Sequence, residues 1–295
     1  MATLFDEQVA RAVGASTTKT LLPVVEKEII HHDILRLMAD AGFLKSLTFF
    51  GGTSLRLCHG SNRLSEDLDF KEGASFEDSR MGRLPEVLEK GLARKYGLEV
   101  HVEEPKPKEG NTDTWTIRIV TRPASTTEKQ QRINIDICTL TNYEREPRLL
   151  SNHYQIDLGT TGLIVQVQSR KETYTDKLIA FALRNRIKAR DLWDIVWLKQ
   201  TLADTSPVHL GEKVTEHHRS KPDFLSAFTL HLDMVKNDPE LRKQYLEEMS
   251  RFLPPQLVAT VQDPEFWTHT AIVLEEELER CILNLSAAES PAWLM

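Results

Sequence analysis

The amino-acid sequence predicts an α+β fold: a mixed sheet with helices over residues 1–200, followed by a helical domain over 201–295. Three observations carry this reading. Strand-like runs recur as LEVHVE, TWTIRIVT and RINIDICT, with the alternation of a half-buried strand most regular in the last. The segments between them, EPKPKEGNTD and RPASTTEKQQ, hold the Pro, Gly and polar residues of turns. Beyond LIVQVQ (Leu163 to Gln168) the pattern turns helical and stays so to about Ser286.

Each element has its own signal. Pro23 to Gly42 reads as a helix, with Ile30, Ile34, Leu37, Met38 and Ala41 on one face, Pro23 in the first turn and Gly42 as the stop. Leu47 to Phe50 (LTFF) reads as a short buried strand. Thr53 to His59 follows as a short helix ended by Gly60, then EDLDF as a second strand and Leu84 to Tyr96 as a helix. After the three strand-like runs, LIVQVQ is one more strand. TYTDKLIAFALRNR and ARDLWDIVWLKQ are two helices, and the polar stretch ADTSPVHLGEKVTEHHRSKPD separates them from the helical remainder.

Composition narrows the function classes. No run of about 18 apolar residues exists, so no transmembrane helix is expected. The beginning, MATLFDEQVARAVG, carries early acids and lacks the apolar core of a secretory signal. Cys58, Cys138 and Cys281 are scattered without a CxxC pair, which suits reduced thiols in a cytoplasm rather than a disulfide frame or zinc knuckle. A net charge of −7 gives little nonspecific attraction to nucleic acid, so a polynucleotide partner needs a local basic patch or bound metal ions. No Ser-His-Asp or H-E-x-x-H arrangement of a hydrolase is visible, and the pairs His31–His32 and His217–His218 are adjacent, so neither shares a helix face.

The densest chemistry lies in FFGGTSLRLCHGSNRLSEDLDF, Phe49 to Phe70. Asp67 and Asp69 are two apart, so on a strand they leave the same face while Leu68 and Phe70 enter the core. Two carboxylates this close repel unless a cation neutralises them, and hard oxygen ligands suit Mg²⁺ or Mn²⁺. Upstream, Gly51 and Gly52 follow a strand and precede a helix, where free backbone N–H groups attract phosphate and glycine lets a ligand approach. Thr53 or Ser54 adds a hydroxyl. No G-K-[ST] follows, so this is not a Walker loop. In RINIDIC the isoleucines share one face and Asp136 lies on the other, available as a third acid for two-metal phosphoryl transfer. Taken singly, each piece is equally an exposed strand acid or a plain strand-to-helix turn. Their combination is the specific signal.

These residues resemble the signature of the AbiEii/AbiGii toxin family of nucleotidyltransferases, type IV toxin–antitoxin toxins that take in the mycobacterial MenT toxins. The G-G-T-x-L-R turn stands as Gly51, Gly52, Thr53, Leu55 and Arg56, and R-x-S-x-D-x-D as Arg63, Ser65, Asp67 and Asp69. A second block, DKLIAFALRNRIKARDLWD, is similar to the family's D-K-L…R…R-D-x-x-D and supplies Asp176, Lys177, Arg184, Arg190, Asp191 and Asp194. Trp193 stands where tyrosine is more often expected. The resemblance implies a DNA-polymerase-β-like nucleotidyltransferase fold and a Mg²⁺-dependent transfer of a nucleotide from an NTP. The acceptor it implies is often the 3′ end of tRNA, and the partner a cognate antitoxin that in many systems forms no stable complex with the toxin.

On that resemblance, Asp67, Asp69 and Asp136 are the metal-binding and catalytic acids, and Lys177 and Asp191 complete the catalytic set. Gly51, Gly52, Thr53, Ser54, Arg56, Ser65 and Asp194 form the nucleotide site. Arg184, Arg186, Lys188 and Arg190 are a candidate patch for RNA phosphates, or a solvated helix end. In one straight helix Lys177 and Asp191 would stand about 21 Å apart, so a break is expected near Arg186 to Ala189. A phosphate placed on Ser65 by a kinase would add roughly −1.5 to −2 charges beside the acids and repel the NTP. Transfer to a protein hydroxyl, which is AMPylation, and a nucleotide-binding module without catalysis are the competing readings.

Overall fold

The computed structural model describes residues 3–13, 20–72, 81–106, 111–122 and 130–287. Parts of the two expected loops, 107–110 and 123–129, lie outside the described residues. The chain divides into two compact units, Met1–Gln168 and Ser169–Met295. The sequence reading places a divide near residue 200, because it groups the first helix pair with the sheet. In the structure that pair packs with the helices that follow it.

In chain order the first unit runs α1 (Leu4–Ala12), α2 (Leu22–Asp40), a short 3-10 turn (Phe43–Lys45), β1 (Thr48–Phe50), α3 (Gly51–His59), β2 (Leu68–Lys71), α4 (Leu84–Tyr96), β3 (Val100–Glu103), β4 (Thr112–Ile119), β5 (Gln131–Cys138), β6 (Arg145–Leu149) and β7 (Ile164–Gln168). The strands form one seven-stranded mixed sheet in the order β3-β4-β5-β2-β1-β7-β6. The short β2 lies between β1, antiparallel to it, and β5, parallel to it. Leu68, Phe70, Ile133, Ile135, Ile137, Trp115 and Ile117 alternate onto one face and are buried there. β6 has no apolar alternation and contains Pro147, which is why its sequence does not read as a strand. Its charges and proline suit its place at the sheet edge.

The longest helix of this unit, α2, is buried on more than one face. Ile29, Ile30, Ile34, Leu35 and Met38 are joined in the interior by Glu26, Glu28, His31, His32 and Asp33. Each acid there has a partner. Glu28 takes Arg56 at 3.1 Å, Asp33 takes Lys95 at 2.7 Å and the Tyr96 hydroxyl, and Glu26 takes Arg122 and the Gln131 amide. The single apolar face expected from the sequence is therefore too narrow: the helix also anchors α3, α4 and β5 through polar contacts.

The second unit is helical: α5 (Arg170–Leu183), α6 (Ala189–Thr201), α7 (Leu210–Glu216), α8 (Lys221–Asn237), α9 (Pro239–Met249), α10 (Pro255–Gln262) and α11 (Pro264–Ala287). Its core holds Phe181, Phe224 and Phe228, with Tyr245 against Phe266 and Trp267. The polar stretch expected as a separator contains α7, whose Lys213 is buried between Glu172 and Asp176 of α5, at 2.7 Å from each. No described helix is long and apolar enough to cross a membrane.

Burial lowers the pKa of His31 to about 4 and that of His32 to about 3, so both rings fold neutral. The unfolded chain takes up these protons near the ordinary value of 6.5, the folded chain only far below it. Their stabilising contribution is full above pH 6.5 and declines as the pH falls from there towards 4. The melting temperature of the protein should drop across that window. In a His32→Asn variant, whose amide keeps a group near Thr160, the drop should be smaller. An equal drop in both proteins would contradict the assignment.

Candidate active site

Strand register builds the first cluster. Phe50 of β1 is opposite Asp69 of β2, Asp69 is opposite Asp136 of β5, and Asp136 is opposite Thr114 of β4. Residues opposite each other in a sheet leave the same face, so Asp69 and Asp136 stand side by side. Asp67 lies one residue before β2 rather than within it, yet it keeps the alternation. Its Oδ1 accepts the Asn134 backbone N–H at 3.1 Å, one row from Asp136. All three acids expected from the sequence thus come from adjacent chain segments on one face of the sheet.

Electrostatics mark this face. The Asp67 pKa is raised, chiefly by burial, with the charges of Glu66 and Asp136 adding to it and the Asn134 N–H opposing it. Asp136 keeps a buried Oδ1 without a hydrogen-bond partner among the described residues. An orphaned carboxylate oxygen beside two further acids is the donor set a hard cation takes. Among the described residues no three His, Cys, Asp or Glu side chains are already gathered around one point. An ion of the Mg²⁺ type uses one or two carboxylates and completes its shell with water and substrate phosphates, so it does not require such a cluster.

The glycine turn abuts these acids. The helix α3 begins at Gly51 itself, two residues earlier than expected, and its N-cap residue, Phe50, makes no side-chain capping hydrogen bond. Gly51 has φ +76°, and a Cβ there would run into the Asp69 carboxylate, with Cγ at 3.0 Å. A Cβ on Gly52 would strike the Arg63 guanidinium and would lie 2.8 Å from the Ser65 Oγ. A side chain at Gly51 is opposed by both its φ and the Asp69 carboxylate, one at Gly52 must displace Arg63 and Ser65, and the first turn of α3 begins against the acid row. Thr53 turns its hydroxyl to the Asp67 carbonyl, tying helix to acid loop. Ser54 is buried. Arg56 is held by Glu28 and by the Ser61 carbonyl, and so it braces α3 against α2. Ser65 is buried, 6% exposed, facing Gly52.

Three neighbours escaped sequence reasoning. The loop between α3 and β2 is pinned to α2 by Lys27, 2.8 Å from the Glu66 carboxylate, and by His31, whose Nε2 donates to the Glu66 carbonyl at 2.9 Å. Lys71 continues the alternation of Asp67 and Asp69 along β2 and is buried, with its ammonium 4.8 Å from the centre of the Phe50 ring. That alternation was its available signal.

The second unit holds a separate cluster. α5 stops at Leu183 and α6 starts at Ala189, so the expected helix break is present and folds the pair into a hairpin. Lys177 reaches Asp191 at 2.7 Å and Asp194 at 2.8 Å, and Arg184 reaches Asp191 at 3.2 Å. Asp176 goes instead to Lys213. Of the basic patch, Arg184, Arg186 and Lys188 are exposed. Arg190 pairs with Glu248 at 3.2 Å and stacks on Phe252 at 4.6 Å. Although the Lys188 side chain reaches solvent, partial desolvation by its neighbours, followed by the charges of Arg184 and Arg190, lowers its pKa.

Comparison with known proteins bears on the fold and the family. The nucleotidyltransferase toxin MenT4 from Mycobacterium tuberculosis shares the fold, with a TM-score of 0.54, 17% identity, and 94% of this chain and 98% of that one covered. JHP933 from Helicobacter pylori aligns with a TM-score of 0.44 and 18% identity, over 90% of this chain and 98% of its own. No curated protein matches the chain. The family described as nucleotidyl transferase AbiEii toxin, type IV toxin–antitoxin system, matches residues 33–269, and the protein therefore belongs to this family of transferase enzymes.

Proposed function

We propose that the protein transfers a nucleotide from an NTP to RNA, with the tRNA 3′ acceptor end as the target, and thereby blocks translation in the cytoplasm. The observation that carries this reading is the row of Asp69 and Asp136, with Asp67 beside them, against a helix start whose two glycines are packed on Asp69, Arg63 and Ser65. In the reaction a hydroxyl oxygen of the acceptor forms a bond to the α-phosphorus. The bond from that phosphorus to the pyrophosphate oxygen breaks, and pyrophosphate leaves with the electron pair.

Each group has a role. The first-turn N–H groups of α3 receive triphosphate oxygens. Asp67 and Asp69 would hold Mg²⁺, or Mn²⁺ in its place, and Asp136 would take the hydroxyl proton. The ion, when bound, neutralises triphosphate charge and polarises the phosphoryl oxygen. Lys177, oriented by Asp191 and Asp194 within the second unit, is a compact cation of the kind that binds phosphate. Arg184, Arg186 and Lys188, and Arg190 where it can leave Glu248, attract RNA phosphates. A type IV system implies a cognate antitoxin. Phosphorylation of Ser65 would put a charge against Gly52 where the triphosphate sits. Because the hydroxyl is buried, a kinase needs the loop carrying it to open.

The direct test incubates the protein with Mg²⁺, each labelled NTP in turn and total tRNA. Label should reach tRNA with the wild type, and Asp69→Asn or Asp136→Asn should each reduce it by about 10³-fold. Label on protein bands would favour AMPylation. Bound nucleotide with no label on any acceptor would favour the binding module. In the second unit, Asp191→Asn loosens the grip on Lys177 and should lower kcat by about tenfold, while Lys177→Met should lower it further. Equal activity of Lys177→Met and wild type would remove that residue from the mechanism. Ser65→Glu should raise the KM for NTP, and an unchanged KM would end the phosphorylation idea.

A further inference from the structure

The polar face of the sheet is organised in rows across the strands. One row is Phe50, Asp69, Asp136 and Thr114, and the next is Thr48, Lys71, Cys138 and Thr112. Rows lie two residues apart along a strand, about 7 Å. Lys71 therefore carries its charge one row from two of the acids assigned to metal and catalysis. It is only 2% exposed, and its ammonium lies 4.8 Å from the Phe50 ring centroid. Phe50 is the residue from which α3 departs. Few lysines are buried this deeply, because desolvating an ammonium is costly unless negative charge compensates it.

We propose that Lys71 is a positioning residue for nucleotidyl transfer: a built-in cation that offsets the acid row before the metal-bound nucleotide arrives and holds Phe50, and with it the phosphate-binding turn, in place. This rests on the nucleotidyltransferase reading of the site and adds a residue to it. A fixed positive charge here has two opposite consequences. It repels a bare divalent cation from Asp69 and Asp136, and it favours the triphosphate. A purely structural lysine has neither.

Both consequences are measurable on the full-length protein. Binding of Mn²⁺ without nucleotide is followed by electron paramagnetic resonance of the free ion, and transfer kinetics give kcat and KM for the NTP. Lys71→Met should bind bare Mn²⁺ roughly three- to tenfold more tightly and raise the KM for NTP by about the same factor, whereas Lys71→Arg should stay close to wild type. Asp69→Asn should weaken Mn²⁺ binding. If it does, and Lys71→Met leaves both Mn²⁺ affinity and KM unchanged, the role of Lys71 is overturned while the site assignment stands. Mn²⁺ binding that Asp69→Asn leaves untouched would overturn the metal assignment, and this proposal with it. Should Lys71→Met fail to fold, Phe50→Leu, which removes the ring under the ammonium, must raise the KM for NTP. An unchanged KM in that variant overturns the positioning role.

Discussion

The insertion of β2 between β1 and β5 is the constraint on which the first unit depends. The strand is four residues long, yet it fixes three relations at once. Its antiparallel pairing with β1 puts Asp69 beside the residue that precedes the glycine turn. Its parallel pairing with β5 brings in Asp136 from a distant part of the sequence, and its own alternation adds Asp67 and Lys71. A slip of one residue would carry Asp69, and Lys71 with it, to the apolar face. Leu68 and Phe70, both buried, oppose such a slip because they would have to enter the polar face in exchange.

Around this strand the protein keeps charge inside. Glu26, Glu28 and Asp33 on α2 are each paired with a cation from another segment, and Lys27 and His31 secure the loop that delivers Asp67. Buried pairs of this kind contribute little net stability, but losing one partner leaves a desolvated charge and is destabilising by about 3–5 kcal/mol. Their effect is to define geometry. Arg56, part of the glycine-turn signature, shows this: its guanidinium closes on Glu28 and fixes α3, so one of the family's pattern residues has scaffolding work in this chain.

Much of this was legible in the sequence because the signals were local. The alternation in RINIDIC correctly separated the buried isoleucines from Asp136, and Leu84 to Tyr96 was read with its observed ends. The break between Lys177 and Asp191 followed from the span of a straight helix together with the resemblance that gives both residues one site. What the sequence hid was long-range. No local pattern shows that Lys27 meets Glu66, that Asp176 turns to Lys213, or that Arg190 is taken up by Glu248 and Phe252. α7 and β6 were missed for another reason: one is short and rich in polar residues, and the other is an edge strand whose exposed side chains need no apolar rhythm.

The packing around Gly52 has an evolutionary side. Any side chain at that position meets the Arg63 guanidinium and the Ser65 hydroxyl, both buried, so nearby space cannot absorb it. Almost every missense change of that codon must therefore push on the site, whatever the chemical nature of the new residue. For a member of a toxin family this is a ready route to inactivation. If the glycine turn holds the nucleotide as proposed, a lineage that loses its antitoxin needs no deletion or frameshift, because a single base change at this codon disarms the enzyme and leaves the rest of its surface intact.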